Sequence, residues 1–223
     1  MAEIKIIVPT SLADITLDQY QRYLRIIENI EDGEMKESFI SMKILEVFCN
    51  VPYSVASKFK VTDINEIVAK VTQILNTTED LVKRFKIGDT EFGFIPKLDD
   101  MTFGEYIDLD QFLGDWQKME KAMAVLYRPI VKSQGKLYDI KEYEGDLYHS
   151  AMKGMPLDAV FSSIVFFYRL GIDLSKTMMR YLEMDQVKGD SDLERVLTKN
   201  GDGITQFTTS LKEILDDLNI SRL

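Results

Sequence analysis

From Leu157 to Leu170 the chain sets Val160, Phe161, Ile164, Val165, Phe166, Phe167 and Leu170 nearly all the way around a helix. A helix that is apolar on every side has no solvent face, so it belongs in the middle of a core or against a partner. Met155-Pro156-Leu157-Asp158 reads as its start, with proline in the first turn, where the missing N–H is not needed. Two serines interrupt the run and Arg169 closes it. It falls short of the ~20 apolar residues that cross a bilayer. Gly171 reads as its end, with Leu174, Met178, Met179, Tyr181 and Leu182 on a further helix.

Around this segment the pattern is one of amphipathic helices with marked starts. In Thr16-Leu17-Asp18-Gln19 the threonine can accept from the Gln19 amide while the glutamine reaches back, a capping box. Leu17, Tyr20, Leu24 and Ile27 stripe the helix it opens. A turn at Glu31-Asp32-Gly33 leads to a second helix with Phe39, Ile40, Ile44, Val47 and Phe48 inward, stopped by Asn50-Val51-Pro52. Asp63 to Glu66 offers another capping box before the stripe Ile64, Ile67, Val68, Val71, Ile74 and Leu75. Thr102-Phe103-Gly104-Glu105 opens a helix through about Phe112, and a further one carries Trp116, Met119, Met123, Leu126 and Tyr127 to a stop at Arg128-Pro129. Residues 12–20 and 98–106 share the pattern L-x-D-[IM]-T-[LF]-x-[QE]-Y, which is one good way to enter a helix used twice.

Extended structure is predicted in three places. Ile4, Ile6 and Val8 alternate in a short strand ended by Pro9. Phe85 to Ile95 is apolar on both sides of Gly88-Asp89, as in a β-hairpin, which the first strand could join. Leu137 to Ile140 reads as a short extended piece. The expected fold is therefore mainly α, a helical bundle-like core with a small β-hairpin or minor sheet. Residues 1–187 form the main domain, with the hairpin near 85–95. Lys188 to Asp192 is a linker, and residues 188–223 form a helical tail striped by Ile204, Phe207, Leu211, Ile214, Leu215 and Leu218.

Little in the sequence carries chemistry. A formal net charge of -10 disfavours nucleic acid and anionic membranes as partners. There is no phosphate-cradling glycine loop and no Cys or His ligand pair for zinc, so no cofactor and no metal are expected. Asp108 and Asp110 have the opening spacing of a calcium loop, but Phe112 stands where the third oxygen belongs. The single cysteine, Cys49, lies in an apolar run and reads as a small buried hydrophobe. The single histidine, His149, is far from it in sequence, and an enzyme would need a cleft gathering His149, Arg128 and several carboxylates. Between Leu98 and Glu120, seven carboxylates, including Asp99, Asp100, Glu105, Asp108 and Asp110, face one lysine, Lys118. Such a run serves helix dipoles and solvated faces, or docks a basic partner. Eleven methionines serve as core filler or as an adaptable binding surface, the core reading being favoured. The amino terminus, Met1 to Pro9, has no basic segment leading into a long apolar one, so a cytoplasmic location is expected.

Phe94 to Leu109, with Met123 to Ile130, Met155-Pro156, Phe166-Phe167 and Leu170-Gly171, resembles proteins of tailed bacteriophages over about a third of the chain. The resemblance implies a protein of the tail or head-tail region, without matching one named family. Two roles fit it: a tail assembly chaperone, which keeps the apolar tape-measure protein soluble, and a head-tail connector or adaptor ring component. A phage-encoded inhibitor of a host protein is a further alternative. The partners expected are phage structural or tape-measure proteins, in the host cytoplasm or the virion, with homo-oligomerisation also open. The residues expected to bind a partner are Phe94, Asp99, Asp100, Glu105, Asp108, Asp110, Arg128, Phe166 and Phe167.

Overall fold

Two of the three predicted capping boxes form, those at Thr16 and Thr102, and the one at Asp63 does not. The computed structural model describes residues 6–29, 36–77, 80–98 and 101–185. Thr16 Oγ1 accepts from the Gln19 amide at 3.3 Å and Gln19 Oε1 accepts from the Thr16 amide at 2.9 Å, opening α1 (Leu17–Glu28). Thr102 and Glu105 repeat the exchange at 3.3 and 2.6 Å to open α5 (Phe103–Phe112). The two copies differ in what they face. Leu17 and Tyr20 are buried, whereas Phe103 and Tyr106 are 77% and 50% exposed. The turn at 31–33 lies outside the described residues.

α2 (Lys36–Phe48) ends where Asn50 takes a left-handed φ of 54°, which lets the Val51 amide bond back to the Leu45 carbonyl at 3.1 Å. Phe39, expected inward, is 45% exposed, with the Lys43 ammonium 5.4 Å from its ring centroid. After the single turn α3 (Tyr53–Ala56), α4 (Val61–Leu75) begins earlier than the Asp63 signal suggests. The Asp63 amide already bonds the Lys60 carbonyl, and Glu66 pairs with Lys70 along the helix surface at 2.8 Å. Only Val71 of that stripe is fully buried, with the others packed against the core edge.

The predicted hairpin is present, and it belongs to a larger sheet. β1 (Arg84–Ile87) and β2 (Thr90–Phe94) are joined by Gly88-Asp89, with Gly88 at φ 57°, the left-handed conformation a two-residue hairpin loop needs. The sheet is antiparallel in the order β1-β2-β3-β4. Residues 6–8 join no strand of it, so the expected strand at 4–8 does not form over its described part. The partner of the hairpin is instead β3 (Tyr127–Gln134), which follows α6 (Met119–Leu126) directly and pairs onward with β4 (Leu137–Ile140). Arg128-Pro129 is therefore strand rather than a helix stop. β2 pairs with β3 only from Tyr127 to Pro129. The proline has no N–H to carry that ladder further.

After α7 (His149–Met152), α8 runs unbroken as Leu157–Asp185, so Gly171 does not end it. One interior glycine costs about 1 kcal/mol, less than nucleating a second helix demands. Val160, Phe161, Ile164 and Val165 are buried, which places the apolar segment in the core. Phe161 meets Tyr20 and Trp116 edge-on at 5.3 and 6.0 Å. Backbone bonds lock the start of α8 to the start of α1: the Leu17 and Asp18 amides donate to the Met155 and Lys153 carbonyls, and the Leu157 amide donates to Ile15, all at 2.9 Å. The fold is mainly α with a small antiparallel sheet. Among the described residues no helix is long and apolar enough to cross a membrane. The linker at 188–192 and the tail at 188–223 lie outside the described residues.

Candidate partner-binding groove

Where the sheet ends, the strand termini leave a hollow. β2 finishes at Phe94, whose amide bonds the Lys83 carbonyl and whose own carbonyl accepts from the Tyr138 hydroxyl at 2.7 Å. The next amide, Ile95, bonds the Leu126 carbonyl at 2.9 Å, turning the chain along the sheet's end. These bonds bring the segments 81–83, 94–98 and 136–139 together with Phe166 of α8 around a groove of about 660 Å³. That volume is in the range of ligand-sized clefts, roughly 300–1,000 Å³.

The floor is apolar: Leu81, Phe94, Ile95, Leu98 and Phe166. Phe94 meets Phe166 edge-on at 5.6 Å, and Phe167 backs both from the buried side at 6.2 and 5.4 Å. Among the described residues, the charged side chains around it are Lys83, Lys97, Lys136 and Asp139. Leu137 stands at the lip, 77% exposed.

Tyr138 forms one wall and is held on both sides. Its ring lies 4.4 Å from the Arg84 guanidinium, and its other edge rests on Gly93 so closely that a methyl there would collide with Cε2. Burial, first, pushes the Tyr138 phenol above its usual range, with the Arg84 charge opposing.

Phe94 and Phe166, both expected to bind a partner, meet in this groove, with Phe167 behind them. Asp99 and Asp100 lie outside the described residues. The other carboxylates of the acidic run disperse. Glu105 is buried and its Oε1 meets Arg128 Nη1 at 2.8 Å, tying the start of α5 to β3. Asp108 accepts from the Tyr143 hydroxyl at 2.7 Å, and burial, with this bond second, raises that phenol's pKa. Asp110 is exposed, two residues further along the same helix, so its side chain diverges from that of Asp108. Asp115 caps a turn by accepting from the Gln117 amide, and its hydrogen bond from Lys118 holds its carboxyl below the usual range. Glu120 is buried and accepts from Gln21 Nε2 at 2.7 Å. Of the five described carboxylates of this run, Glu105, Asp108, Asp115 and Glu120 are bonded within the fold. Met119, Met123, Met152 and Met155 are likewise fully buried, core filler rather than a binding surface.

Lys83, Lys136 and Tyr138 carry no local mark of their place in the groove, since only the β1-β2-β3-β4 pairing brings them beside Phe94. His149 Nδ1 sits 3.1 Å from Asp146, its ring against Phe112, and Arg128 is engaged with Glu105. Cys49 is buried at the end of α2, and burial pushes its thiol up to about 11. At pH 8 the native chain should therefore resist iodoacetamide, while the chain in denaturant reacts within minutes. Rapid native alkylation, read by intact mass, would show that the thiol is open. No protein-family model, no curated protein and no solved structure matches the chain.

Proposed function

We propose that this chain is a non-enzymatic assembly protein of a tailed bacteriophage that acts by binding an apolar segment of another virion protein, in the manner of a tail assembly chaperone. The groove carries this reading: an aromatic and aliphatic lining with Lys83 and Lys136 beside it, in a chain of net charge -10. An amphipathic segment laying its apolar side into such a hollow, with carboxylates at its flanks, satisfies both the floor and the rim. Phe94 and Leu98 on that floor belong to the stretch that resembles phage proteins, and Phe166 to a later piece of the same resemblance. The apolar helix α8, a natural first candidate for the binding surface, is largely used up in the core, so the groove takes its place in the proposal.

The test is fluorescence polarisation with the full chain and two labelled amphipathic 15-residue peptides, one built of Leu, Ala and Glu, the other with Lys for Glu. The acidic peptide should bind about ten-fold tighter, and Lys83→Glu with Lys136→Glu should erase the preference without moving the melting temperature. Equal binding of both peptides by the native chain would count against the groove. Co-expression with the tape-measure protein of the same genome then tests the biological role: the native chain should keep it soluble and the lysine variant should not.

One observation supports a connector role instead. The β3–β4 hairpin exposes Leu137 at its tip and Val131 at the bulge near its base, apolar positions that an arm gripping a neighbouring subunit would offer. A fixed ring-like stoichiometry in purified virions, measured by quantitative mass spectrometry, would decide for that role over the chaperone.

A further inference from the structure

We infer that Phe103, Tyr106 and Ile107 of α5 form a second docking surface, fitted to a segment of another protein that turns through a Met-Pro-Leu-like sequence into an apolar helix. The matching motif at α1 already holds such a segment, supplied from within this chain, and α5 has none.

Residues 12–20 and 98–106 agree beyond their capping boxes. The Ile15 amide bonds the Leu12 carbonyl at 3.1 Å and the Met101 amide bonds the Leu98 carbonyl at 3.0 Å, so the two turns into the helix are alike. α1 is clasped from two sides. On one side Gln19 Nε2 donates to the Val47 carbonyl at 2.9 Å and Tyr23 meets Phe48 at 5.2 Å. On the other, Leu17 is fully buried and Tyr20 lies 5.3 Å from Phe161. There Thr16 pairs with Pro156 in an antiparallel bridge, through the backbone bonds to Lys153, Met155 and Leu157 described above.

α5 keeps only the first of these sides. Glu105 and Leu109, which stand where α1 has Gln19 and Tyr23, are buried. Phe103 and Tyr106, which stand where α1 has Leu17 and Tyr20, are exposed, and so is Ile107. Positions three and four apart are neighbours on a helix, so the three side chains make one apolar patch, the mark of an interaction site. No acceptor among the described residues is bonded to the Phe103 and Gly104 amides, whose counterparts at Leu17 and Asp18 donate to Met155 and Lys153. Gly104 has open space where a side chain would begin, so a second backbone can reach these amides. Phe103, Tyr106 and Ile107 take no part in lining the groove.

The occupant comes from a different protein. A second copy of this chain has its own Met155 and Leu157 fully buried and bonded at the start of α1. Asp110, exposed seven residues after Phe103 on the same face, suits a basic residue beside the turn, the sign that Lys153 carries in the internal example.

The probe is a labelled peptide with the sequence of residues 151–163, titrated with the full chain by fluorescence polarisation. It should bind saturably. Phe103→Ser with Tyr106→Ser should weaken binding about ten-fold or more without moving the melting temperature, as should Leu157→Asp within the peptide. No saturable binding by the native chain, or equal binding by the serine variant, overturns the inference. Binding lost with Lys83→Glu and Lys136→Glu but kept in the serine variant would place the peptide in the groove and overturn it as well. With p-benzoylphenylalanine in place of Ile107, irradiation should give a product with the mass of one chain plus one peptide. A product of two chains, or a link within one chain that excludes the peptide, would show the face already covered and overturn the inference.

Discussion

Glu105→Gln is expected to lower the unfolding free energy by about 3–5 kcal/mol, the usual loss when one partner of a buried ion pair is removed. For a chain of this size that is roughly 10 °C in Tm. The substitution is informative because glutamine already performs the other half of this residue's work. In the first copy of the motif Gln19 serves the capping box, accepting from Thr16 at 2.9 Å. Glutamine at position 105 should therefore keep the Thr102 amide bonded and α5 capped, while Arg128 is left charged and buried. The pair itself is costly, because Arg128 Nε is buried with no hydrogen-bond partner. Adding Arg128→Met to Glu105→Gln should thus recover most of the loss, since removing both charges removes the desolvation penalty with them. Urea unfolding of the two variants checks this. A loss below about 1 kcal/mol for Glu105→Gln would mean that solvent reaches the pair.

Gly93→Ala should cost about 2–3 kcal/mol, towards the upper end of what overpacking a well-filled site does. The added methyl would run into the Tyr138 ring and meet Ile130 Cγ1 at 3.0 Å. Retreat of the ring towards the groove is resisted by its hydroxyl bond to the Phe94 carbonyl and by the Arg84 guanidinium against its face. Tyr138→Ala in the same chain should relieve most of the strain, giving a coupling well above the few tenths of a kcal/mol seen between independent sites. Because Tyr138 is a wall of the groove, Gly93→Ala should also weaken binding of the acidic peptide. Additive losses, or unaltered peptide affinity, would show that the tyrosine moves freely.

The parts of this fold that are legible in the sequence are those decided within a few residues. Thr16 with Gln19 and Thr102 with Glu105 mark their helix starts because both partners of each cap lie within one turn. Gly88 marks its hairpin because its loop needs a positive φ. Longer-range facts leave no such mark. The spacing of Glu105 as a cap says nothing of Arg128, which reaches it only because β3 pairs with β2 after two intervening helices. Pro129 reads as a helix stop because its missing N–H is equally at home at the end of a strand ladder. Gly171 reads as a break because nothing nearby reveals that α8 continues through it. The groove is the least legible of all: Phe94 and Phe166 are visible as large apolar residues, but the lysines around them are ordinary surface residues until the sheet is assembled.

The bonds from Leu17 and Asp18 to Met155 and Lys153, and from Leu157 back to Ile15, also have a consequence in time. The first helix of the chain cannot complete its docking until a segment made about 140 residues later has been synthesised. At roughly 5–20 residues per second this is a wait of about ten seconds or more at the ribosome. Closing so large a loop costs entropy before any contact rewards it, and contacts this distant in sequence slow folding. During that interval Leu17 and Tyr20 stay uncovered, which makes the nascent chain, rather than the finished one, the form most in need of a chaperone.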